Sequence, residues 1–200
     1  MASICVFCAS STTLDKRWLD LAAETGRSLA ERGHTLVSGG GRVGMMGTVT
    51  EGARAAGGHT LGIIPQHLVD IEVADEASAE LVITGDMADR KTVMIARSDA
   101  FITLPGGLGT LDELFEVWTT ATLDVHRKPL LLLDPDGFYD GLVDWLGTLV
   151  DQGFIRPAAM DLLLVARTVP EAVDLIEKTM AEGPRPPSGA ASGTASPADR

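Results

Sequence analysis

The stretch Ala100-Phe101-Ile102-Thr103-Leu104-Pro105-Gly106-Gly107-Leu108-Gly109-Thr110-Leu111-Asp112-Glu113 decides the fold. Its first five residues are an apolar run that reads as a buried strand, and a long helical pattern opens at 109 after a glycine turn. A strand passing through a glycine turn into a helix is the repeating unit of a parallel α/β sheet. The turn also carries chemistry. Glycines let the backbone approach a ligand closely, and a helix start offers unpaired N–H groups to an anion. Thr110 adds a hydroxyl, and Glu113 adds a carboxylate one turn into the helix. A phosphate cradle beside a carboxylate points to an enzyme acting on a phosphorylated small molecule.

The same alternation extends in both directions. Strands are predicted at 2–8, 34–38, 59–64, 80–84, 99–104, 129–133 and 161–165, with helical stretches near 14–32, 44–57, 87–97, 109–123, 137–152 and 170–181. Runs such as Leu130-Leu131-Leu132-Leu133 are apolar on both faces, which suits strands covered by helices on two sides. The expected fold is α/β: a doubly wound parallel sheet, Rossmann-like, in a single domain spanning residues 1–182. A chain of 200 residues is long enough for one sizeable core. From Gly183 the composition collapses to Gly, Pro, Ala and Ser, so 183–200 is expected to be a disordered tail. Segment 65–79 is long for a plain connection and acidic, which suggests a lid or a partner-contact segment.

The formal net charge of −12 argues against a nucleic-acid polymer or an anionic membrane as partner. A small phosphate ligand still needs local positive charge, which Arg42, Arg90 and Lys91 can supply. No apolar run reaches membrane-spanning length and no signal-like segment opens the chain, so a cytoplasmic location is expected. Cys5 and Cys8 are spaced as C-x-x-C, but a redox pair needs a helix N-terminus and a zinc site needs two further ligands. Both lie in a strand-like run whose alternation points them to opposite faces, so they read as two reduced thiols. His34, His59, His67 and His126 form no metal-ligand spacing, and neither metal nor cofactor is expected.

In open parallel sheets, ligands bind beyond the carboxyl ends of the strands, where strand order reverses. Three turns fall at such ends: Ala9-Ser10-Ser11, Ser38-Gly39-Gly40-Gly41, and 105–110. They line one crevice if the first and fifth strands are neighbours. The second turn reads formally as G-x-G-x-x-G through Gly44. A dinucleotide site also wants an acidic residue at the end of the next strand, which instead reads Ile63-Ile64-Pro65-Gln66. That argues against an NAD-dependent oxidoreductase. The absence of a Gly-Lys-Ser/Thr ending argues against a P-loop. Gly41, Gly44 and Gly47 recur every third residue, a spacing that also serves close helix packing.

Several of these groups have a plainer reading. Thr110-Leu111-Asp112-Glu113 matches T-x-x-E, a capping box in which Glu113 only satisfies a backbone N–H. Arg90 and Lys91, on the first turns after strand 80–84, are either a solvated pair or partners of an anion shared with the glycine turn. Ser10 and Ser11 read as caps of the first helix or as ligand donors, because no His-Asp set accompanies them as nucleophiles. The face formed by Leu114, Phe115, Val117 and Trp118 suits a dimer interface or packing on the sheet.

The chain resembles the Lonely Guy family of cytokinin-activating enzymes over nearly all of residues 2–181. The likeness rests on Val6-Phe7-Cys8-Ala9-Ser10-Ser11, on Ser38-Gly39-Gly40-Gly41 through Gly44-Met45-Met46-Gly47, on Met87-Ala88-Asp89-Arg90-Lys91, and on the 105–113 run. It implies a homodimer or larger assembly with active sites near the interface. The implied activity is hydrolysis of the N-glycosidic bond of cytokinin riboside 5′-monophosphates, and of AMP, to free base and ribose 5-phosphate. Carried onto matching positions, Arg90 and Glu113 are the catalytic pair. Ser10, Gly40, Gly41, Lys91, Pro105, Gly106, Gly107, Leu108, Gly109 and Thr110 hold the nucleotide, with Glu72 and Thr119 as further contacts. Ala9, Ala88-Asp89 and Asp112 depart from the family pattern without removing a catalytic group. Relatives are often labelled lysine decarboxylases, yet no lysine here sits in a context that suggests a pyridoxal phosphate Schiff base. The contrasting reading is a non-catalytic nucleotide sensor or carrier, which keeps the cradle and uses Glu113 as a cap.

Overall fold

The computed structural model describes residues 1–71 and 74–183. Seven strands, β1 (Ser3–Phe7), β2 (Thr35–Ser38), β3 (Thr60–Pro65), β4 (Glu80–Thr84), β5 (Ala100–Thr103), β6 (Leu130–Leu133) and β7 (Leu163–Ala166), form one sheet. Their order is β4-β3-β2-β1-β5-β6-β7, and every neighbouring pair is parallel. The helices between them are α1 (Lys16–Glu31), α2 (Gly44–Ala55), α3 (Gln66–Asp70), α4 (Met87–Ala96), α5 (Leu108–Thr122), α6 (Asp140–Asp151), α7 (Pro157–Met160) and α8 (Val169–Glu182). The fold is the doubly wound, Rossmann-like single domain that the alternation predicts.

Strand alternation divides the core into two layers. Ile4, Val6, Leu36, Ile102, Leu131 and Leu133 meet Leu29 of α1, Met45 and Val49 of α2 and Ile176 of α8. On the other face Cys5, Phe7, Val37, Ile63 and Phe101 meet Met94 of α4, Val117 and Trp118 of α5 and Leu146 of α6. The two cysteines therefore sit on opposite faces, both buried free thiols. On the first face α1 and α2 cross at van der Waals distance because the crossing is made of glycine. A Cβ at Gly26 would lie 1.9 Å from the Val49 carbonyl oxygen, and one at Gly52 would lie 2.3 Å from that of Ala23.

Strand order runs outward from β1 to β4, then returns to the far side of β1 with β5, so the reversal falls between β1 and β5. Phe7 pairs with Thr103, and the Leu104 amide continues the ladder with a 2.9 Å bond to the Phe7 carbonyl. The carboxyl ends of β1 and β5 thus lie side by side, the condition for the three turns to share one crevice.

Three details go beyond or against the sequence expectation, and a fourth expectation falls outside the described residues. The acidic segment 65–79 holds the single-turn α3 and an isolated antiparallel bridge from Ala74 to Gly41, both too short to give a periodic signal. α1 is capped by Asp15, whose side chain accepts from the Arg17 amide, and not by Ser10 or Ser11. Three and four residues separate Ser11 and Ser10 from the cap, and both serines are exposed. Leu114, Val117 and Trp118 are buried within this subunit, which decides the α5 face in favour of packing inside the fold. The predicted tail, 183–200, lies outside the described residues except for Gly183. Among the described residues no helix is long and apolar enough to cross a membrane.

Candidate active site

The turn after β5 leads into α5 with Gly107 as the N-cap (φ −97°, ψ −152°) and no side chain accepting from the first-turn amides. This overturns the capping-box reading. Thr110 lies three residues inside the helix, so Glu113 is six residues inside and out of reach of the end it would have capped. The helices α1, α4 and α8 do carry side-chain caps, from Asp15, Asp86 and Thr168. At α5 the amides of Leu108, Gly109 and Thr110 form an electropositive end without a side-chain acceptor. A Cβ at Gly107 or Gly109 would meet nothing within 4 Å, so these glycines border open space. Gly106 differs: its Cβ would sit 2.2 Å from Thr110 Oγ1, and its absence lets the buried threonine fold back beneath the turn.

The glycine turn after β2 is built for contact instead. A Cβ at Gly39 would lie 1.7 Å from Arg90 Nη2, and one at Gly44 would lie 2.5 Å from the Ser11 carbonyl oxygen. The first turn, the second turn and the start of α4 are therefore packed against one another. Gly40 has φ +70°, and its carbonyl accepts a 2.8 Å bond from the Asp75 amide. Gly41 makes the bridge to Ala74. Gly47 lets α2 close on its own lead-in, since its Cβ would fall 2.1 Å from the Arg42 carbonyl oxygen.

Arg90 is 6 % exposed, unusual for arginine, and carbonyls hold it there. Its Nε donates to Ile63 O at 3.1 Å and its Nη2 to Gly39 O at 3.4 Å. Nη1 then faces Glu113 Oε1 at 3.4 Å. Glu113 is itself buried, and among the described residues this long contact is the one ion pair it makes. Desolvation dominates, opposed by the Arg90 guanidinium, and the carboxyl is pushed from 4.5 up to about 7. A carboxyl poised near neutrality, beside a fixed guanidinium and an uncapped helix end, can exchange a proton with water and face developing positive charge.

The remaining predicted residues spread around this pair. Ser10 is exposed on the first turn, Pro105 is buried at the base of the third, and Leu108 projects into solvent. Lys91 turns away from the glycine turn: its Nζ lies 3.0 Å from Asp112 Oδ2 and 2.5 Å from Glu116 Oε2, and these bonds raise its pKa. Thr119 is exposed nine residues beyond Thr110, roughly 13 Å along the helix at 1.5 Å per residue. Glu72 lies outside the described residues.

Two residues that sequence reasoning missed hold the second turn. Arg54 Nη1 donates to Asp75 Oδ2 at 2.5 Å, and the buried Asp75 ties segment 74–78 across Gly40. No motif joins positions 21 apart, so nothing in the sequence signals the pair. A second cavity lies on the opposite edge of the sheet, lined by Ala121, His126, Pro129, Leu130, Ala159 and Leu164. Its lining includes none of the residues placed around the Arg90–Glu113 pair.

Residues 46–176 match the family described as possible lysine decarboxylase. The chain is 50% identical over 171 residues to the cytokinin riboside 5′-monophosphate phosphoribohydrolase of Mycobacterium tuberculosis, an alignment covering 86% of this chain and 91% of the relative. It is 42% identical over 181 residues to a protein of the same name from Arabidopsis thaliana, covering 90% and 78% of the two chains. Among solved structures, the molybdenum cofactor carrier protein of Chlamydomonas reinhardtii superposes with a TM-score of 0.69 at 24% identity, covering 90% of this chain and 98% of that one. This last likeness shows the fold.

Proposed function

The chain belongs to the family described as possible lysine decarboxylase, the Lonely Guy family of cytokinin riboside 5′-monophosphate phosphoribohydrolases, and from that membership we propose that it cleaves the N-glycosidic bond of such monophosphates and of AMP. The observation that carries the proposal is the buried Arg90–Glu113 pair beside the uncapped start of α5. The amides at 108–110 take the 5′-phosphate, a remote grip whose binding free energy orients the scissile bond. Arg90, fixed by two carbonyls, holds the nucleotide in its reactive pose. As the C1′–N bond breaks, its electron pair leaves with the base and positive charge builds on the sugar. Glu113, ionised, faces that charge and takes a proton from the water that attacks C1′. The departing base takes up one proton from solvent and Glu113 returns to solvent the one it took from water, so the products are the free base and ribose 5-phosphate.

A decarboxylase would need a lysine deprotonated for Schiff-base chemistry. Lys91, the lysine beside the proposed site, is held by two carboxylates that favour its charged form and so is not suited to that role. A homodimer or larger homo-oligomer belongs to the same proposal. It is supported by Ile83, Met87 and Leu108, exposed apolar side chains along the carboxyl edge of the sheet. The net charge of −12 favours a small phosphate ligand over a nucleic-acid polymer. Buried free thiols fit a reducing cytoplasm. The test is incubation with AMP and isopentenyladenosine 5′-monophosphate, followed by analysis for free base and ribose 5-phosphate. Release of both supports the proposal, and binding without release makes the protein a carrier.

A further inference from the structure

Tyr139 is buried at the end of a short 3₁₀ turn, Pro135–Gly137, that follows β6, and no part of the proposed chemistry uses it. Its hydroxyl donates to the Leu104 carbonyl at 2.7 Å. Leu104 is the last residue before Pro105, and its amide is already bonded to Phe7 O. The residue that launches the glycine turn is thus held on both sides, by β1 through its N–H and by Tyr139 through its C=O. The Gly106 backbone is a further polar neighbour of the same hydroxyl. The ring packs in a cluster with Leu132 and with Leu111 and Leu114 of α5. One side chain therefore touches both the entry of the turn and the first turns of the helix whose amides end it.

Tyr139 is itself fixed from behind. Its amide donates to Asp134 Oδ1 at 2.8 Å, and Asp134, 1 % exposed, accepts Arg167 Nη1 on Oδ2 at 2.6 Å. Arg167 follows β7 and also reaches Asp140 Oδ1 at 2.9 Å. The ends of β6 and β7, two strands that contribute nothing else to the crevice, are in this way connected to the turn after β5.

We propose that Tyr139 is a positioning residue for the phosphate cradle, its hydroxyl setting the direction in which the 106–110 amides point. The inference rests on the reading of that turn as the monophosphate site. Removing the hydroxyl leaves the ring packing intact but frees a buried carbonyl at the root of the turn. The amides then lose their common aim, and phosphate binding weakens without any change in the groups that face the sugar.

The experiment compares wild type, Tyr139→Phe and Leu146→Ala in AMP titration calorimetry, steady-state kinetics with AMP, and competitive inhibition by ribose 5-phosphate and by ribose. For Tyr139→Phe the AMP Kd, the KM and the ribose 5-phosphate inhibition constant should all rise about tenfold, a change of one hydrogen bond's size, while kcat stays within about twofold. Inhibition by ribose should not move. Leu146→Ala, a core truncation elsewhere on α6, should lower Tm and leave KM as it was, which separates cradle alignment from general loss of stability. Unchanged AMP affinity in Tyr139→Phe overturns this inference alone. A fall in kcat at constant KM overturns it too. Failure of the wild-type protein to bind AMP overturns the monophosphate reading together with it.

Discussion

Two glycine turns border the crevice, and on paper they look alike. The turn after β2 reads Gly39-Gly40-Gly41-Arg42-Val43-Gly44, and the turn after β5 reads Gly106-Gly107-Leu108-Gly109. In space they do opposite things. At Gly39, Gly44 and Gly47 a Cβ would drive into Arg90, Ser11 or Arg42, so these glycines exist to let protein touch protein. At Gly107 and Gly109 a Cβ would meet open space, so packing within the subunit does not call for glycine there. The turn after β2 seats the guanidinium, and the turn after β5 presents amides. Glycine spacing alone does not reveal an internal packing device, whereas what a missing Cβ would have touched does.

The contrast predicts different costs for the same substitution. At Gly39 the atom in the way is the mobile end of an arginine, so Gly39→Ala should displace Arg90 and not the backbone. Loss of a fixed charge in a buried site puts the expected fall in kcat at about 100-fold, with a stability loss of only about 1–2 kcal/mol. Thermal melts and AMP kinetics on one preparation check both figures. Equal losses in kcat and stability would break the comparison.

Gly109→Ala should show the reverse pattern. The residue is helical and faces open space, so alanine is expected to stabilise the fold by up to about 1 kcal/mol through helix propensity. The added methyl stands where the phosphate should approach, and KM for AMP should rise about tenfold, equivalent to one lost hydrogen bond. A destabilised variant with unchanged KM would show that this turn, too, is packing.

The acid–base behaviour of Glu113 sharpens the contrast on the side of the turn after β2, against which Arg90 of α4 packs. Burial lifts the folded pKa to about 7 from 4.5, so the native state holds the proton more tightly than the unfolded chain. The stability this contributes is full below pH 4.5 and is lost as pH rises through about 7, a total of about 3 kcal/mol. Wild type should therefore lose Tm relative to Glu113→Gln between pH 5 and pH 8. Activity should move the other way, with kcat/KM climbing as the carboxylate forms near pH 7. Parallel Tm curves for the two proteins would mean that Glu113 titrates normally.

The smallest expected effect concerns the strap over Gly40. Asp75→Asn keeps the shape but weakens the bond to Arg54, and kcat should fall about threefold as the second turn loosens. Kinetics at saturating AMP would detect it, and no change would limit the strap to a structural role.

Much of this was legible in the chain. Each of the seven strands lies within two residues of its predicted position, because fully buried parallel strands are short apolar runs between strong helical patterns. The family resemblance pairs Arg90 with Glu113, and the two side chains stand 3.4 Å apart. What could not be read is the set of contacts that aim these groups. Arg54 with Asp75, and Tyr139 with Leu104, are joined only by the folded sheet and leave no periodic or motif signal. The role of Thr110-Leu111-Asp112-Glu113 stayed ambiguous for a related reason: a capping box and a catalytic carboxylate share the same letters, and only the position of the helix start distinguishes them.

The most direct measurement is base release from AMP and isopentenyladenosine 5′-monophosphate by wild type and by Glu113→Gln, with AMP binding to both followed in parallel. The account predicts free base and ribose 5-phosphate from wild type, and a rate reduced by a factor of about 100 to 10,000 in the variant, which still binds AMP. Base release at the wild-type rate by Glu113→Gln, or none by the wild-type protein, would contradict it.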